Sequence, residues 1–212
     1  ARICAYGTIA TMRRLYPPEL GRRVEQTIAA ALSGRKPGLR GLAAVVRTDW
    51  RLGRIKKRVY AEVAEEVLAA AHDFGADAIG FKLWNGDGLS GSGRIAAALR
   101  RRCPHVVLLG GGPQVDTFMG RILERYPCFD ALVYGEGEAT IARLAAEGRD
   151  PARYAGIPNL LYLAYGQCHT TPSEIIEDLN ALPEPVYHPA VYPAMAGNQK
   201  IRIGVLDETR GC

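Results

Sequence analysis

Residues 106–138, VVLLGGGPQVDTFMGRILERYPCFDALVYGEGE, repeat one pattern twice. A short apolar run, VVLL at 106–109, ends in GGGP and leads into a helix predicted from Thr117 to Tyr126. A second run, ALVY at 131–134, ends in GEGE and leads into a helix predicted from Glu138 to Ala146. Short, continuous apolar runs of this kind predict strands covered by helices on both faces, the condition of a parallel sheet. Upstream, AIGFKLW at 78–84 precedes a glycine-rich loop and a helix predicted from Ser92 to Arg102. Strand and helix alternating at this spacing predict an α/β protein with a doubly wound, Rossmann-like parallel sheet.

Working outward, ICAYGTI (3–9) and GLAAVV (41–46) read as two further strands, which brings the expected sheet to five, with a helical stretch from about Glu19 to Ser33 between them. Residues 59–74 carry the clearest helical period. Val59, Val63 and Val67 recur every fourth residue beside Ala64, Leu68 and Ala71, Glu62, Glu65 and Glu66 take the other face, and Gly75 stops the helix. Beyond about residue 150 prolines become frequent and helical periodicity disappears. IPNLLYLAYGQCHTT (157–171) reads as a hairpin around Tyr165 and Gly166, and residues 173–193 as an irregular linker with one short helical turn. IRIGVL (201–206) reads as a strand opening a further domain. The expected organisation is therefore a Rossmann-like domain over 1–150, a hairpin and proline-rich linker over 151–200, and the first strand of another, truncated domain over 201–212.

The 212 residues are 48% hydrophobic and 23% charged, an ordinary globular balance. No apolar run approaches the roughly 18 residues of a membrane helix, and no secretory leader is recognisable, so a cytoplasmic protein without a membrane span is expected. The net charge of +5 and pI near 9.0 raise the question of nucleic acid. The basic clusters (Arg13-Arg14, Arg22-Arg23, Lys56-Lys57-Arg58, Arg100-Arg101-Arg102) fall on different elements without interleaved aromatics, so they read as solvated helix faces and no nucleic-acid partner is expected. The five cysteines are odd in number and widely spaced, which points to reduced thiols, with Cys103 and Cys128 filling the core. No P-loop, H-E-x-x-H or G-x-S-x-G motif is present.

In open parallel sheets ligands bind beyond the carboxyl ends of the strands. Those ends fall at Tyr6-Gly7-Thr8, Arg47-Thr48, Leu83-Trp84-Asn85, Gly110-Gly111-Gly112-Pro113 and Gly135-Glu136-Gly137-Glu138. Glycine there either lets a bulky ligand approach the backbone or simply permits a tight turn, and several such turns on one rim favour a ligand. GDGLSG (86–91) also matches the dinucleotide pattern G-x-G-x-x-G. It follows the third expected strand, however, and the next strand ends in GGGP without an acid to hold a ribose, so dinucleotide binding stands as an alternative.

LLGGGPQVD, VYGEGEATI, IPNLLY, LNALPEPVY and IRIGVLDETRGC occur in this order over roughly residues 78–212. In this the chain resembles the N-terminal half of cobalamin-dependent radical SAM enzymes; its first 75 residues share only the general strand and helix pattern. The resemblance implies a cobalamin-binding Rossmann-like domain with the corrin across the strand carboxyl ends. The nucleotide tail would run along Gly110, Gly111, Gly112, Pro113 and the turn Gly135, Glu136, Gly137, Glu138, while Leu83, Trp84 and Asn85 approach the corrin and Gly7, Thr8 and Arg47 complete the rim. Cys212 would be the first of three cysteines holding a [4Fe-4S] cluster open to S-adenosylmethionine, so the chain is expected to be a fragment of the enzyme. The D-x-H-x-x-G motif that supplies an axial histidine in other cobalamin proteins is absent. His72 stands in HDFG with no acid two residues before it, which leaves Arg47, Trp84 or water to face the cobalt.

The activity implied is transfer of a methyl group from S-adenosylmethionine through cobalt to an unactivated carbon or phosphorus, although some members of the family catalyse ring contraction or cyclisation. The partners implied are a small-molecule or peptide substrate and an electron donor such as a flavodoxin or ferredoxin. Two alternatives remain: a cobalamin-free docking module for the radical SAM domain, and a dinucleotide-binding oxidoreductase domain.

Overall fold

The computed structural model describes residues 9–34, 38–148 and 150–183. Five strands form one sheet in the order β1 (Ala78–Lys82), β2 (Val107–Gly111), β3 (Ala131–Val133), β4 (Leu160–Ala164) and β5 (Gln167–Thr170). β1, β2 and β3 are parallel, with Leu109 and Gly111 of β2 opposite Ala131 and Val133 of β3. β4 runs antiparallel to β3, and β5 antiparallel to β4. Tyr165 and Gly166, at φ 52° and 76°, close the β4–β5 hairpin with the two successive left-handed residues that match the twist of its strands.

Helices among the described residues are α1 (Ile9–Leu15), α2 (Pro18–Leu32), α3 (Leu39–Phe74), α4 (Asp87–Arg102), α5 (Pro113–Phe118), α6 (Arg121–Arg125) and α7 (Glu138–Glu147). The valine stripe of α3 (Val59, Val63, Val67, with Ala64) is buried in one core with Ile95, Ala96 and Leu99 of α4, Ile122 and Leu123 of α6, and Leu108, Leu132 and Leu161 of the sheet. Ala131, Val133, Leu160 and Tyr162 point to the opposite face, where Leu144 of α7 and Tyr154 and Ile157 around the 3-10 helix Pro151–Gly156 cover them. Helices thus lie on both faces of a largely parallel sheet, the α/β architecture expected.

The membership of the sheet differs from expectation. GLAAVV at 41–46 lies inside α3, not in a strand. A continuous apolar run does not by itself distinguish strand from helix, and here Leu39, Leu42, Val46 and Trp50 recur at helical spacing. Residues 3–8 of the other N-terminal run lie outside the described residues, and Ile9 opens α1. The hairpin strands β4 and β5 occupy the remaining places in the sheet. The helix expected from Thr117 to Tyr126 is broken into α5 and α6 at Met119, whose φ is 47°.

At the amino end of the strands Arg100, expected to be a solvated cation, binds inward. It donates to the carbonyls of Cys128, Pro104 and Val106 at 3.2, 2.9 and 3.0 Å and pairs with Asp130. Cys128 is buried and Cys103 half-buried, in keeping with core filling. The chain divides into two units, Ala5–Ile176, which holds the sheet and α1 to α7, and Ala1–Cys4 with Glu177–Cys212, in which the described residues form the short 3-10 turn Leu179–Ala181.

Candidate functional site

The carboxyl ends of β1, β2 and β3 form one rim. After β2, three successive glycines do three different things. Gly110 faces the core, where an added Cβ would stand 2.6 Å from Leu132 Cδ2 and 2.8 Å from Leu83 Cδ1. Gly111 faces the other side of the sheet with only ordinary contacts available, and Gly112 has φ 112°, which a side chain would strain. Leu83 N donates to Gly111 O at 2.6 Å and Gln114 N to Leu83 O at 3.4 Å, which stitches the end of β1 to the turn after β2.

The turn after β3 is held from three directions. Gly135, at φ 59°, donates its N–H to Asp116 Oδ1 at 2.7 Å. Asn159, only 2% exposed, donates from Nδ2 to Glu136 O and Glu174 O, both at 2.8 Å, and accepts from Glu174 N at 2.7 Å. Glu136 Oε2 accepts from Ile176 N at 2.5 Å, and the fully buried Thr140 donates to Pro158 O at 2.9 Å. The sequences QVD, GEGEAT and IPN are therefore joined in space by side-chain hydrogen bonds. Asp116, Asn159 and Thr140 escaped the sequence reading as site residues; the only signal for them was their place inside quoted motifs.

Beside this rim the described residues leave one face of the sheet open. Ile79 and Phe81 of β1 turn to the α3 side, while Ala78, Gly80 and Lys82 alternate on the other face and are exposed. Gly80 has nothing within 4 Å of where a Cβ would stand. Among the described residues α7 and the 3-10 helix cover that face over β3 and β4 and reach Leu109 of β2, so a strip of small residues, Ala78 and Gly80 on β1 with Gly111 at the end of β2, runs down from the rim. Lys82 at the top of the strip has its Nζ 5.4 Å from the ring centre of Trp84, which is half exposed.

Two glycines of GDGLSG serve helix packing. A Cβ on Gly88 would lie 2.8 Å from Trp84 Cβ, and one on Gly91 would lie 2.8 Å from the Tyr60 ring. Gly93, just beyond, lies closer still under Tyr126, whose ring would be 2.4 Å from an added Cβ. Gly88 and Gly91 thus serve the packing of α4, while Gly86, at φ 59° with nothing within 4 Å of a Cβ, serves the turn that opens it.

Asp87, the first residue of α4, accepts from Tyr60 Oη at 2.7 Å, from Lys56 Nζ at 3.0 Å and from the Tyr16 hydroxyl. Lys56 also donates to Tyr16 Oη at 2.6 Å. Burial works to raise the Asp87 pKa, but the hydrogen bonds from Tyr16, Tyr60 and Lys56, with the ammonium charge, outweigh it and hold the carboxyl below its ordinary value. Burial, then the bond to this carboxylate, push the Tyr60 phenol well above its ordinary value.

Of the residues singled out in the sequence, Trp84, Asn85, Gly110 to Pro113 and Gly135 to Glu138 come together at the rim. Leu83 is there too, but its side chain is fully buried beneath it. Arg47 lies within α3 and ends no strand. Gly7, Thr8 and Cys212 lie outside the described residues. His72 ends α3 and His105 precedes β2, both at the amino ends of strands, opposite the rim; the His72 side chain is 92% exposed. His169 stacks on Tyr162 with ring centres 5.3 Å apart. Among the described residues no group of histidine, cysteine or carboxylate side chains is arranged to hold a metal ion, and no helix is long and apolar enough to cross a membrane.

An α/β sheet with this rim and open strip defines a nucleotide- or cofactor-binding Rossmann-like domain. The chain belongs to the B12 binding domain family, whose model matches residues 27–145. It is 30% identical over 124 residues, 49% of this chain, to the cobalamin-dependent radical SAM methyltransferase TokK of Streptomyces tokunonensis. It is 31% identical over 152 residues, 63% of this chain, to a 2-(S-pantetheinyl)-carbapenam-3-carboxylate methyltransferase of Streptantibioticus cattleyicolor. The matched regions are 18% and 22% of those two proteins, so the chain spans about a fifth of the relatives it matches.

Proposed function

We propose that this chain is the cobalamin-binding portion of a radical SAM methyltransferase. The observation that carries the reading is the bare strip Ala78, Gly80 and Gly111 descending from a rim of glycine turns, in a chain of the B12-binding domain family. A long nucleotide tail needs a groove with little side-chain bulk, and Gly80 and Gly111 leave one between the side chains of their register partners Leu109 and Lys82. The corrin would lie over the carboxyl ends of β1 to β3, with Trp84 and Asn85 against it and Leu83 supporting the turn from below. Gly112, Pro113 and the turn Gly135 to Glu138 would flank the tail, and the fixed backbone of that second turn, held by Asp116 and Asn159, would keep its wall in place without reorganisation on binding.

Cobalamin would supply a cobalt centre able to carry a methyl group from S-adenosylmethionine to a substrate. With His72 and His105 at the far end of the strands, no histidine of these elements would hold the cobalt, and Trp84 at the rim would lie against the bound group. The full-length enzyme would add a [4Fe-4S] cluster on Cys212 and two later cysteines, bind S-adenosylmethionine, draw electrons from a flavodoxin or ferredoxin and act on a small-molecule or peptide substrate in the cytoplasm.

The test is incubation with hydroxocobalamin, gel filtration, and measurement of cobalt content and visible spectrum. Near-stoichiometric cobalt with a shifted corrin band is expected. Protein free of cobalt, both as this chain and in a form extended past Cys212, would refute the cofactor assignment and favour a cobalamin-free docking module.

A further inference from the structure

Asp87 stands at the joint between β1 and α4. Before it, Gly86 takes φ 59°; after it, Gly88 is bare so that the Cβ of Trp84 can press against the helix, and Gly88 N donates to Asn85 O at 3.1 Å. Trp84 and Asp87 are therefore two parts of one tight turn. Whatever holds the carboxylate holds the base of the indole.

That carboxylate is held by more than a helix start requires. An acid in a first turn is stabilised by the helix dipole alone. Asp87 in addition receives Lys56 and Tyr60, one turn apart on α3, and Tyr16, which directly follows α1. The side chains of Lys56 and Asp87 are 21% and 19% exposed, and the Lys56 ammonium also lies 4.5 Å from the centre of the Tyr16 ring. Meanwhile α4 is already docked by Ile95, Ala96 and Leu99, which are buried in the core. The additional polar anchoring is concentrated at the end of the helix that carries the rim, where Trp84 projects half exposed.

We infer that Asp87, clamped by Lys56, Tyr60 and Tyr16, is a positioning residue that sets the Trp84 indole against the face of the bound corrin. This rests on the cobalamin reading above. An exposed aromatic used as a binding surface contributes most when its backbone is fixed beforehand, since the ligand then bears none of the ordering entropy. Here the fixing comes from charge-assisted hydrogen bonds that reach across from α3.

The experiment uses a Trp50→Phe background, which leaves Trp84 as the remaining tryptophan of the chain's two. Trp84 mobility is read without ligand by fluorescence anisotropy and acrylamide quenching, and the hydroxocobalamin Kd by absorbance titration. Asp87→Asn and Lys56→Met should retain the far-UV spectrum, lower the anisotropy, raise the quenching constant and weaken Kd about tenfold, the effect of one lost hydrogen bond to a charged group. Trp84→Ala should weaken Kd similarly, and Asp87→Asn added to it should weaken Kd no further, because the clamp acts through the indole. Should Asp87→Asn fail to fold, Tyr60→Phe, which removes a single oxygen, takes its place in the same cycle. Additive losses in the double variant, or unchanged Trp84 quenching in folded variants that bind cobalamin less tightly, would overturn the proposal. No cobalamin binding by the unsubstituted protein, either as this chain or extended past Cys212, would overturn the cofactor reading, and with it the purpose assigned to the clamp.

Discussion

Asn159→Ala is expected to destabilise the fold by about 3 kcal/mol, from hydrogen bonds worth about 1 kcal/mol each and a backbone penalty of about 1 kcal/mol, discounted for exposure. The hydrogen bonds are the three that its amide makes, to Glu136 O, Glu174 O and Glu174 N. The backbone penalty arises because Asn159 has φ 56°, a left-handed conformation that asparagine tolerates and alanine does not. The discount recognises that Glu174 is exposed, so water recovers part of the bonding at that residue. Asn159→Gly separates the two contributions, since glycine adopts that φ freely and should be about 1 kcal/mol more stable than the alanine variant. Urea unfolding at fixed pH reads both values from the midpoint, provided the slope is unchanged. Because Glu136 belongs to the turn after β3, both variants should also bind cobalamin less tightly. Losses below about 1 kcal/mol in both variants, or glycine less stable than alanine, would refute the account of this turn.

Gly110 and Gly80 should separate fold from binding. Gly110→Ala, with its Cβ thrust against Leu132 and Leu83, is expected to destabilise by about 1–3 kcal/mol in thermal unfolding. Gly80→Val enters open space on the bare strip, so it should leave thermal stability intact or raised while abolishing retention of cobalamin. The clamp also predicts a pH dependence. Since the Asp87 carboxyl is held below its ordinary value, its stabilisation is fully present above the unfolded carboxyl pKa of about 4 and is lost as pH falls through the lower folded value. The stability gap between the wild type and Asp87→Asn should therefore be constant from neutrality to about pH 5 and close in stronger acid, as read by unfolding curves at several pH values. Replacement of His72, exposed at the far end of α3, by alanine should leave the visible spectrum of bound cobalamin unchanged.

From residue 78 to residue 147 the succession of elements was legible because each is specified locally. Apolar runs of strand length alternate with glycine turns and helical stretches, and the turn glycines fall where the backbone needs them, as at Gly112 and Gly135. The rim was legible for the same reason, since it is only the set of points where those strands end. The first 75 residues were less so, because GLAAVV fits a strand or a helix and the choice belongs to the 36-residue α3 that contains it. Arg47 was placed on the rim as a consequence of that choice.

The sequence by itself therefore determined the α/β class, the order of elements from β1 to the hairpin and the glycine-lined rim, because all of these are encoded over a few neighbouring residues. Only the tertiary structure decided that the hairpin joins the sheet antiparallel, that Asn159 and Asp116 brace the turn after β3, and that Asp87 is clamped from α3. It also showed that Gly88 and Gly91 of GDGLSG admit the Trp84 Cβ and the Tyr60 ring. Each of these depends on a partner distant in the chain, and side-chain chemistry names what a residue can bond without naming which partner the fold will bring within 3 Å.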